Sequence, residues 1–222
     1  MTTILAGGQP LTLLPEKAAF IAASRTLLVA DAHIGKAVSF RALGVPVPRG
    51  TTGETLAALS ALLECTGARR IVFLGDFLHS ARAHARATID AVSTWRERHR
   101  DLELILVRGN HDDRAGDPPA HLRMEVVDEP FERDGFAFCH HPRERSGAYV
   151  LAGHLHPCVS LGGRAWDRLR LPCYWFGDAV GVLPAFGAFT GMHPIRPGAA
   201  DRVFAVADGK VAMIRPYERR AA

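Results

Sequence analysis

The sequence lacks the segments that carry a protein into or through a membrane. No apolar run approaches the roughly 18–20 residues that a bilayer-crossing helix needs. The first residues, MTTILAGGQPLTLLPEK, show neither the basic lead nor the continuous apolar stretch of a secretion signal. We therefore expect a cytoplasmic protein with no membrane partner.

Closely spaced cysteines are also missing. The four cysteines, Cys65, Cys139, Cys158 and Cys173, lie far apart and form no C-x-x-C pair. This spacing argues against a zinc ribbon and against a disulfide framework. We expect reduced and mostly buried thiols.

Repeats, low-complexity tracts and long linkers are absent as well. A chain of 222 residues with 48% hydrophobic residues can bury a large core, and we expect residues 1–222 to form a single domain. The net charge is +4, and almost all of the positive charge is arginine. This excess fits a phosphate-rich partner and fits a compositional bias equally well, so it does not choose a function.

Apolar runs alternate with helical patterns in the first half of the chain. The expected strands are LTLL, 26–31, 69–76 and a strand within 102–112 that runs into a Gly-Asn turn. The expected helices are 51–67 and about 82–99. In the first of these helices the leucines keep helical spacing, and Thr51 with Glu54 matches a capping box. This half is typical of a βαβαβ arrangement.

Strand-like segments dominate after about residue 120. Asp134-Gly135 and Asp208-Gly209 each separate two short apolar runs, as in a β-hairpin. AYVLAGHLH and LRLPCYWFGD also indicate strands. We expect an α/β fold with two sheets and helices outside, and surface loops at 43–52 and 184–198.

Five of the predicted strands end in side chains that can bind metals. These side chains are Asp31 and His33; Asp76 and His79; Asn110, His111 and Asp112; His140 and His141; and His154 and His156. Sites in open α/β sheets form outside the carboxyl ends of the strands. The five strand ends therefore predict one common site.

The ligand types limit the choice of metal. Carboxylate, amide and imidazole groups without thiolates suit Mn²⁺, Fe²⁺, Zn²⁺ or Co²⁺ and argue against a structural zinc site. The number of candidate ligands is too high for one ion. It suits two ions about 3.5–4 Å apart that share a carboxylate.

In chain order, the motifs DAH, GDFLH, GNHD, CHHP and GHLH resemble those of the calcineurin-like metallophosphoesterase superfamily. The motifs span residues 31 to 156, and five of them in order are far more specific than any one alone. The resemblance implies a four-layer αββα sandwich in which two mixed β-sheets are flanked by helices.

The resemblance also implies which residues hold each ion. The first metal would be held by Asp31, His33, Asp76 and His156, and the second by Asp76, Asn110, His140 and His154. Asp76 would bridge the two ions. His140 is preferred to His141 because it is the first to leave the strand face. The ions would activate water for attack on phosphorus and neutralise charge on the phosphoryl oxygens.

His111 would help the leaving oxygen as an acid or electrophile, and Asp112 would orient His111 or brace the turn. Many superfamily members have aspartate at the position of His79. An imidazole there cannot stabilise a His111 cation, but it could touch the scissile phosphate. We expect His79→Ala to lower activity while metal content stays near the wild-type value.

A narrower resemblance covers nearly the whole chain. DAHIGK followed by SFRALGVPVPRGTT, together with GDFLHS, CHHP and LPAFGAFTGM, is similar to bacterial ligase-associated DNA-damage-response endonucleases of the PdeM type. One departure is FTGM in place of FTGG. This resemblance implies a manganese-dependent DNA endonuclease or phosphodiesterase that works in DNA repair beside a ligase, a helicase and a second nuclease.

Basic and aromatic side chains near the motifs could contact DNA, which we expect to be single-stranded. The basic candidates are Lys36, Arg41 and Arg49, in the loop after the first ligands, and Arg143 and Arg145, after the CHHP histidines. Such residues suit phosphate contacts but are also typical of solvated surface. Phe186 and Phe189 could stack on a base or simply pack in the core.

Two other functions stay open. A phosphodiesterase or phosphatase of nucleotides or other small molecules would use the same site. An inactive scaffold with this fold would bind partner proteins, although every motif residue is present. Linearisation of circular single-stranded DNA under Mn²⁺ separates the endonuclease from both.

Overall fold

The computed structural model describes residues 1–47, 50–162, 168–188 and 190–214. Two candidate DNA contacts, Arg49 and Phe189, lie outside the described residues. The elements of the first half are strands β1 Thr2–Ala6, β2 Gln9–Leu13, β3 Ala19–Ile21, β4 Thr26–Val29, β5 Arg70–Leu74, β6 Glu103–Val107 and β7 Glu125–Val127, and helices α1 Lys36–Ala42, α2 Thr51–Thr66, α3 Arg86–Arg98 and α4 Asn110–Ala115, with 3₁₀ turns at Ala81–His84 and Ala120–Leu122. The second half contains β8 Phe131–Arg133, β9 Phe136–Phe138, β10 Tyr149–Ala152, β11 Pro157–Gly162, β12 Arg168–Phe176, β13 Val180–Val182, β14 His193–Pro194, β15 Arg202–Ala207 and β16 Lys210–Ile214.

The first sheet has the order β1-β2-β3-β4-β5-β6-β7. Strands β1 to β4 pair antiparallel, and β4 to β7 pair parallel. Because β4, β5 and β6 run in the same direction, their carboxyl ends meet at one edge of the sheet. The DAH, GDFLH and GNHD motifs follow these three strands and are brought together there.

The second sheet has the order β14-β11-β12-β13-β10-β9-β8, and β15 pairs with both β12 and β16. Strands β9 and β13 each pair parallel with β10. CHHP follows β9, GHLH follows β10, and LPAFG follows β13. Because these three strands are parallel, the segments that follow them lie together at one edge of the second sheet.

Strands β4, β5 and β6 are buried on both faces, as expected for parallel strands between two layers. Leu27 and Phe73 face the core that the first sheet shares with α2 and α3, and Leu28 and Val72 face the core between the sheets. The second sheet supplies large aromatic residues such as Tyr174 to that inner core. The predicted α/β sandwich of two mixed sheets with flanking helices is confirmed.

Several local expectations need correction. Lys36 and Arg41 lie on helix α1 rather than in a loop, because seven residues are too few to show a clear helical period. The capping box of Thr51 is wrong: Gly50 is the N-cap, Thr51 is already helical, and no side chain caps this helix. Strands β1 and β7 had no clear sequence signal. Among the described residues, no helix is long and apolar enough to span a membrane.

Candidate metal centre

The motif side chains meet in two groups at the shared sheet edge. The first cluster comprises Asp31, His33, Asp76 and His156. Its ring nitrogens approach closely, with His33 Nε2 3.4 Å from His156 Nε2. His156 Nε2 also lies 3.5 Å from Asp31 Oδ1. This grouping is the one that the sequence predicted for the first metal.

The second cluster comprises Asp76, Asn110, His140 and His154. His140 Nε2 lies 2.9 Å from Asn110 Oδ1 and 3.0 Å from His154 Nδ1. Asp76 Oδ1 is 3.5 Å from the same His140 nitrogen. His140 is fully buried, whereas His141 is partly exposed.

Asp76 stands between the two clusters. Its Oδ2 lies 3.9 Å from His33 Nε2, on the side of the first cluster, and its Oδ1 points to His140 in the second. The Oδ1 atom also accepts a hydrogen bond of 2.9 Å from the backbone nitrogen of His111. One carboxylate, 2% exposed, thus presents an oxygen to each cluster.

The hydrogen bonds of the histidines show that lone pairs face one another. His140 Nδ1 contacts the carbonyl of Leu74 at 3.1 Å, and His156 Nδ1 contacts the carbonyl of Gly191 at 3.1 Å. A carbonyl only accepts, so Nδ1 carries the proton in each ring and a neutral ring has a bare Nε2. The bare Nε2 of His140 faces Asn110 Oδ1 at 2.9 Å, and that of His156 faces Asp31 Oδ1 at 3.5 Å. These oxygens only accept, so each pair is repulsive unless a cation lies between its atoms. The donor set therefore fits divalent metal ions.

The ligand-bearing loops hold a strained backbone. Asp31, His33, Asp76, His154 and His156 all have φ between 46° and 70°. Side chains rarely adopt this left-handed region, and such residues persist where surrounding contacts over-determine them. The contacts here join the loops directly: the backbone nitrogen of His33 donates to the carbonyl of Asp76 at 2.9 Å, and that of His154 donates to Asp31 Oδ2 at 2.9 Å.

Three glycines leave room for the ligands. A β-carbon at Gly75 would overlap His140 Nδ1, and one at Gly109 would overlap Asp76 Oδ1. A β-carbon at Gly153 would lie 2.6 Å from Asp31 Oδ2. These positions allow the ligands to converge, and two of them do so by providing space rather than by adopting a left-handed turn.

His111 is oriented by a backbone group. Its Nδ1 donates to the carbonyl of His79 at 2.7 Å, and its Nε2 lies 4.0 Å from Asp76 Oδ2. The ring of His79 stacks on that of His111, with 4.9 Å between centroids. Burial, with Lys36 and His111, lowers the pKa of His79 to about 4, so this imidazole is neutral near pH 7.

Asp112 braces the turn. Its carboxylate accepts hydrogen bonds of 3.0 Å from the backbone nitrogens of Leu78 and Gly109. Burial raises the pKa of Asp112 to about 6 although these hydrogen bonds oppose the shift. Of the two roles that the sequence left open for Asp112, these contacts match the brace.

Glu129 is a residue that the sequence reasoning missed. Its Oε2 accepts hydrogen bonds from the backbone nitrogens of His140 at 2.8 Å and His141 at 2.9 Å, and its Oε1 lies 2.9 Å from His141 Nδ1. Burial pushes the pKa of Glu129 up, but the hydrogen bonds from His141 and His140 outweigh it and the net shift is downward. Glu129 lies in VDEPF, outside every motif, so no spacing signal indicated it.

The basic candidates differ in position. Lys36 begins α1 close to the clusters: burial lowers its pKa, while the charges of Asp31 and Asp76 raise it. Arg41, Arg143 and Arg145 are exposed.

The loop after β13 packs against the first motif. Phe186 is 5% exposed in the core beneath α2 and α3, so it packs rather than offering a stacking surface. Its backbone nitrogen donates to the carbonyl of Ala30 at 2.8 Å, and that of Gly187 donates to the carbonyl of Asp31 at 3.2 Å. This loop therefore supports the strand end that carries Asp31.

Comparison with solved structures shows a strong similarity to a nuclease. No protein-family model matches the chain, and no curated protein matches it. The crystal structure of a Pseudomonas putida nuclease MPE is 46% identical, covers 96% of this chain and 99% of that chain, and has a TM-score of 0.86. The structure of Yfce, a phosphoesterase from E. coli, is 14% identical over 85% of this chain and 97% of that chain, with a TM-score of 0.40 that is too low to support a conclusion. The chain is similar to that nuclease over nearly its whole length, and carboxylate and imidazole groups that could hold metal cluster at its sheet edge. The chain therefore belongs to the metallophosphoesterase family of metal-dependent phosphodiester hydrolases.

Proposed function

We propose that this chain is a two-metal DNA endonuclease that cuts single-stranded DNA in DNA repair, with Mn²⁺ as its working ion. Fe²⁺, Zn²⁺ and Co²⁺ suit the same ligands. We further propose that it is a single cytoplasmic domain that works in a pathway with a ligase, a helicase and a second nuclease. One observation carries the metal-dependent chemistry: the carboxylate of Asp76 lies between two clusters of acceptor atoms that need cations between them. The similarity to a nuclease over 96% of the chain supports nucleic acid as the substrate.

In this proposal the first cluster holds one ion and the second cluster holds the other. Two such ions supply Lewis acidity, a reactive water and charge neutralisation at the phosphoryl oxygens. The protein holds the ligand atoms close together and keeps two of them unprotonated. The carbonyls of Leu74 and Gly191 fix the protons of His140 and His156 on Nδ1, which leaves each Nε2 free to bind an ion. His140, rather than His141, is the proposed ligand because its Nε2 faces Asn110 and His154.

The proposed role of His111 is to give a proton from Nε2 to the leaving oxygen. The carbonyl of His79 accepts from Nδ1, so the transferred proton comes from Nε2 of the doubly protonated ring, which is left as the neutral ring with its proton on Nδ1. Asp112 keeps the turn in place, and Lys36 adds positive charge beside the phosphate. The neutral ring of His79 is proposed to touch the scissile phosphate. The proposed contacts to flanking phosphates are Arg41, Arg49, Arg143 and Arg145.

The test uses metal-stripped protein, circular single-stranded DNA and bis(p-nitrophenyl) phosphate, each with and without Mn²⁺. We expect Mn²⁺-dependent linearisation of the circle by the wild type and by His121→Ala, and none by His111→Ala. His121 is a matched control because it is exposed and contacts Ser93 away from the clusters. His79→Ala should lose activity with its metal content intact.

Each alternative function has its own result in the same experiment. Cleavage of the ester without linearisation of the circle would point to a small-molecule phosphodiesterase. Protein that binds no divalent metal would point to an inactive scaffold. Equal linearisation with and without Mn²⁺ would contradict the metal-dependent mechanism.

A further inference from the structure

Lys17 is held rigidly in the turn between β2 and β3. Its backbone has φ of 66°, and its nitrogen donates to the carbonyl of Leu14 at 3.1 Å. The hydroxyl of the fully buried Tyr174 lies 2.7 Å from the carbonyls of both Leu14 and Ala18. A buried side chain from the second sheet therefore fixes this turn, and with it the position of Lys17.

The ammonium group of Lys17 has no carboxylate partner within the described part of the chain. Its Nζ donates to the carbonyl of Phe186 at 2.9 Å, which uses one of three protons. Burial lowers the pKa of Lys17, and no acidic group among the residues that the structure describes offsets this effect. Lys36 differs, because the carboxylates of Asp31 and Asp76 oppose the effect of its burial. A partly buried cation without an anion is unfavourable unless a ligand supplies one.

Lys17 lines a cavity of about 200 Å³ that adjoins the first cluster. The wall also includes His156, Thr190, Gly191 and Met192. No carboxylate lines this cavity among the residues that the structure describes. The hydrogen bond from His156 Nδ1 to the carbonyl of Gly191 joins the wall directly to a proposed metal ligand. The cavity thus offers one positive charge beside the reacting centre.

We propose that Lys17 and this cavity bind a non-scissile phosphate of the DNA strand, on the His156 side of the metal centre. The inference rests on the proposed endonuclease function and adds a contact that orients the strand. A phosphate suits the cavity because it brings the missing negative charge and acceptors for the two unused Lys17 protons. The volume of about 200 Å³ would hold roughly six water molecules, so a phosphate with part of its sugar fits.

The experiment compares Lys17→Met with Lys210→Met by measuring kcat/KM for cleavage of single-stranded DNA at several KCl concentrations. Lys210 is exposed at the start of β16 and provides the same loss of charge away from the site. One phosphate contact contributes about 0.7 to the slope of log affinity against log salt for single strands. For Lys17→Met we expect the plot of log kcat/KM against log salt to become shallower by that amount, and kcat/KM at 0.1 M salt to fall about five-fold. Lys210→Met should match the wild type.

Hydrolysis of bis(p-nitrophenyl) phosphate separates phosphate binding from a merely structural role. The ester carries one phosphate, so the ratio of DNA to ester kcat/KM should fall about five-fold in Lys17→Met. Lys17→Arg keeps the charge and should restore the salt slope. If Lys17→Met lowers kcat/KM equally for DNA and for the ester, or if its salt slope equals that of Lys210→Met, the proposed role of Lys17 is wrong. Either result would leave the endonuclease function intact. Failure of the wild type to cut DNA would overturn both.

Discussion

Replacing Glu129 with alanine should loosen the loop that carries His140 and weaken metal binding at the second cluster. The carboxylate is the shared acceptor for two backbone nitrogens, those of His140 and His141, and for the His141 ring. It touches none of the proposed metal ligands through their ring atoms. Its effect on the metal must therefore pass through the position of the loop.

The contacts allow a rough magnitude. A buried backbone donor without a partner costs about 1–3 kcal/mol, and a hydrogen bond to a charged group contributes about 1.5–3 kcal/mol. The side chains of Glu129 and His141 are 20% and 30% exposed, so water would replace part of what is lost. We expect Glu129→Ala to lower the free energy of unfolding by about 2–4 kcal/mol. Loss of a group that orients a metal ligand typically lowers metal affinity about 10–100-fold.

The assay measures urea unfolding and the Mn²⁺ concentration needed for half-maximal ester hydrolysis. Glu129→Gln keeps an oxygen for the two backbone nitrogens, and its amide can donate to His141 Nδ1. This variant should stay within about 1 kcal/mol of wild-type stability and keep most of its Mn²⁺ affinity. Glu132→Ala is the control, because Glu132 is exposed on the neighbouring strand β8.

Wild-type Mn²⁺ dependence in Glu129→Ala would refute the idea that this carboxylate positions His140. A Gln variant as impaired as the Ala variant would show that the negative charge matters rather than the hydrogen-bond geometry.

Three further predictions concern space, metal and thiols. Gly109→Ala should lower Mn²⁺ affinity at least about ten-fold with an unchanged circular dichroism spectrum, because its β-carbon would overlap Asp76 Oδ1; titration calorimetry showing wild-type affinity would contradict this. Chelation should lower the melting temperature, and Mn²⁺ at 100 times its Kd should restore about 2.7 kcal/mol; a melting curve that ignores Mn²⁺ would contradict binding to the folded state. Burial raises the pKa of Cys173 to about 12, so its thiolate is scarce at pH 9, and Cys139 and Cys158 are buried as well. Ellman's reagent should therefore titrate only the exposed Cys65 in native protein and all four thiols after denaturation, and more than one fast thiol in the native state would be the contrary result.

The part of the site that the sequence predicted follows from strand direction. Asp31 and Asp76 come directly after parallel strands that share one edge, and that geometry needs only the order of apolar runs and polar ends. The hairpin at Asp134-Gly135 is similarly local, and it forms between β8 and β9 as expected. The same patterns predicted two sheets with helices outside, and the family resemblance added that both sheets are mixed. These features depend on residues that are close in the chain or repeated along it.

The parts that the sequence could not predict depend on contacts between distant segments. Glu129 reaches His140 only because the β7–β8 connection passes the end of β9. Lys17 reaches the cavity that His156 also lines only because the turn that carries it lies against the loop containing Phe186. The supposed capping box failed for a smaller reason: the helix begins one residue earlier than that pattern requires, so Thr51 is the first helical residue rather than the N-cap. The sequence around a residue carries no pattern that identifies its contacts with distant segments.

The histidine at position 79 illustrates how a backbone contact changes the expected effect of a substitution. The sequence suggested that, without aspartate there, His111 would lose its partner. The structure gives His111 a different partner, the carbonyl of His79, and a carbonyl is present whatever the side chain is. The ring is then free to stack on His111 and to bring its Nδ1 within 3.4 Å of His33 Nδ1. Removing the ring therefore leaves the contact that holds His111 in place and removes none of the proposed metal ligands, and this is why we expect His79→Ala to impair turnover without releasing metal.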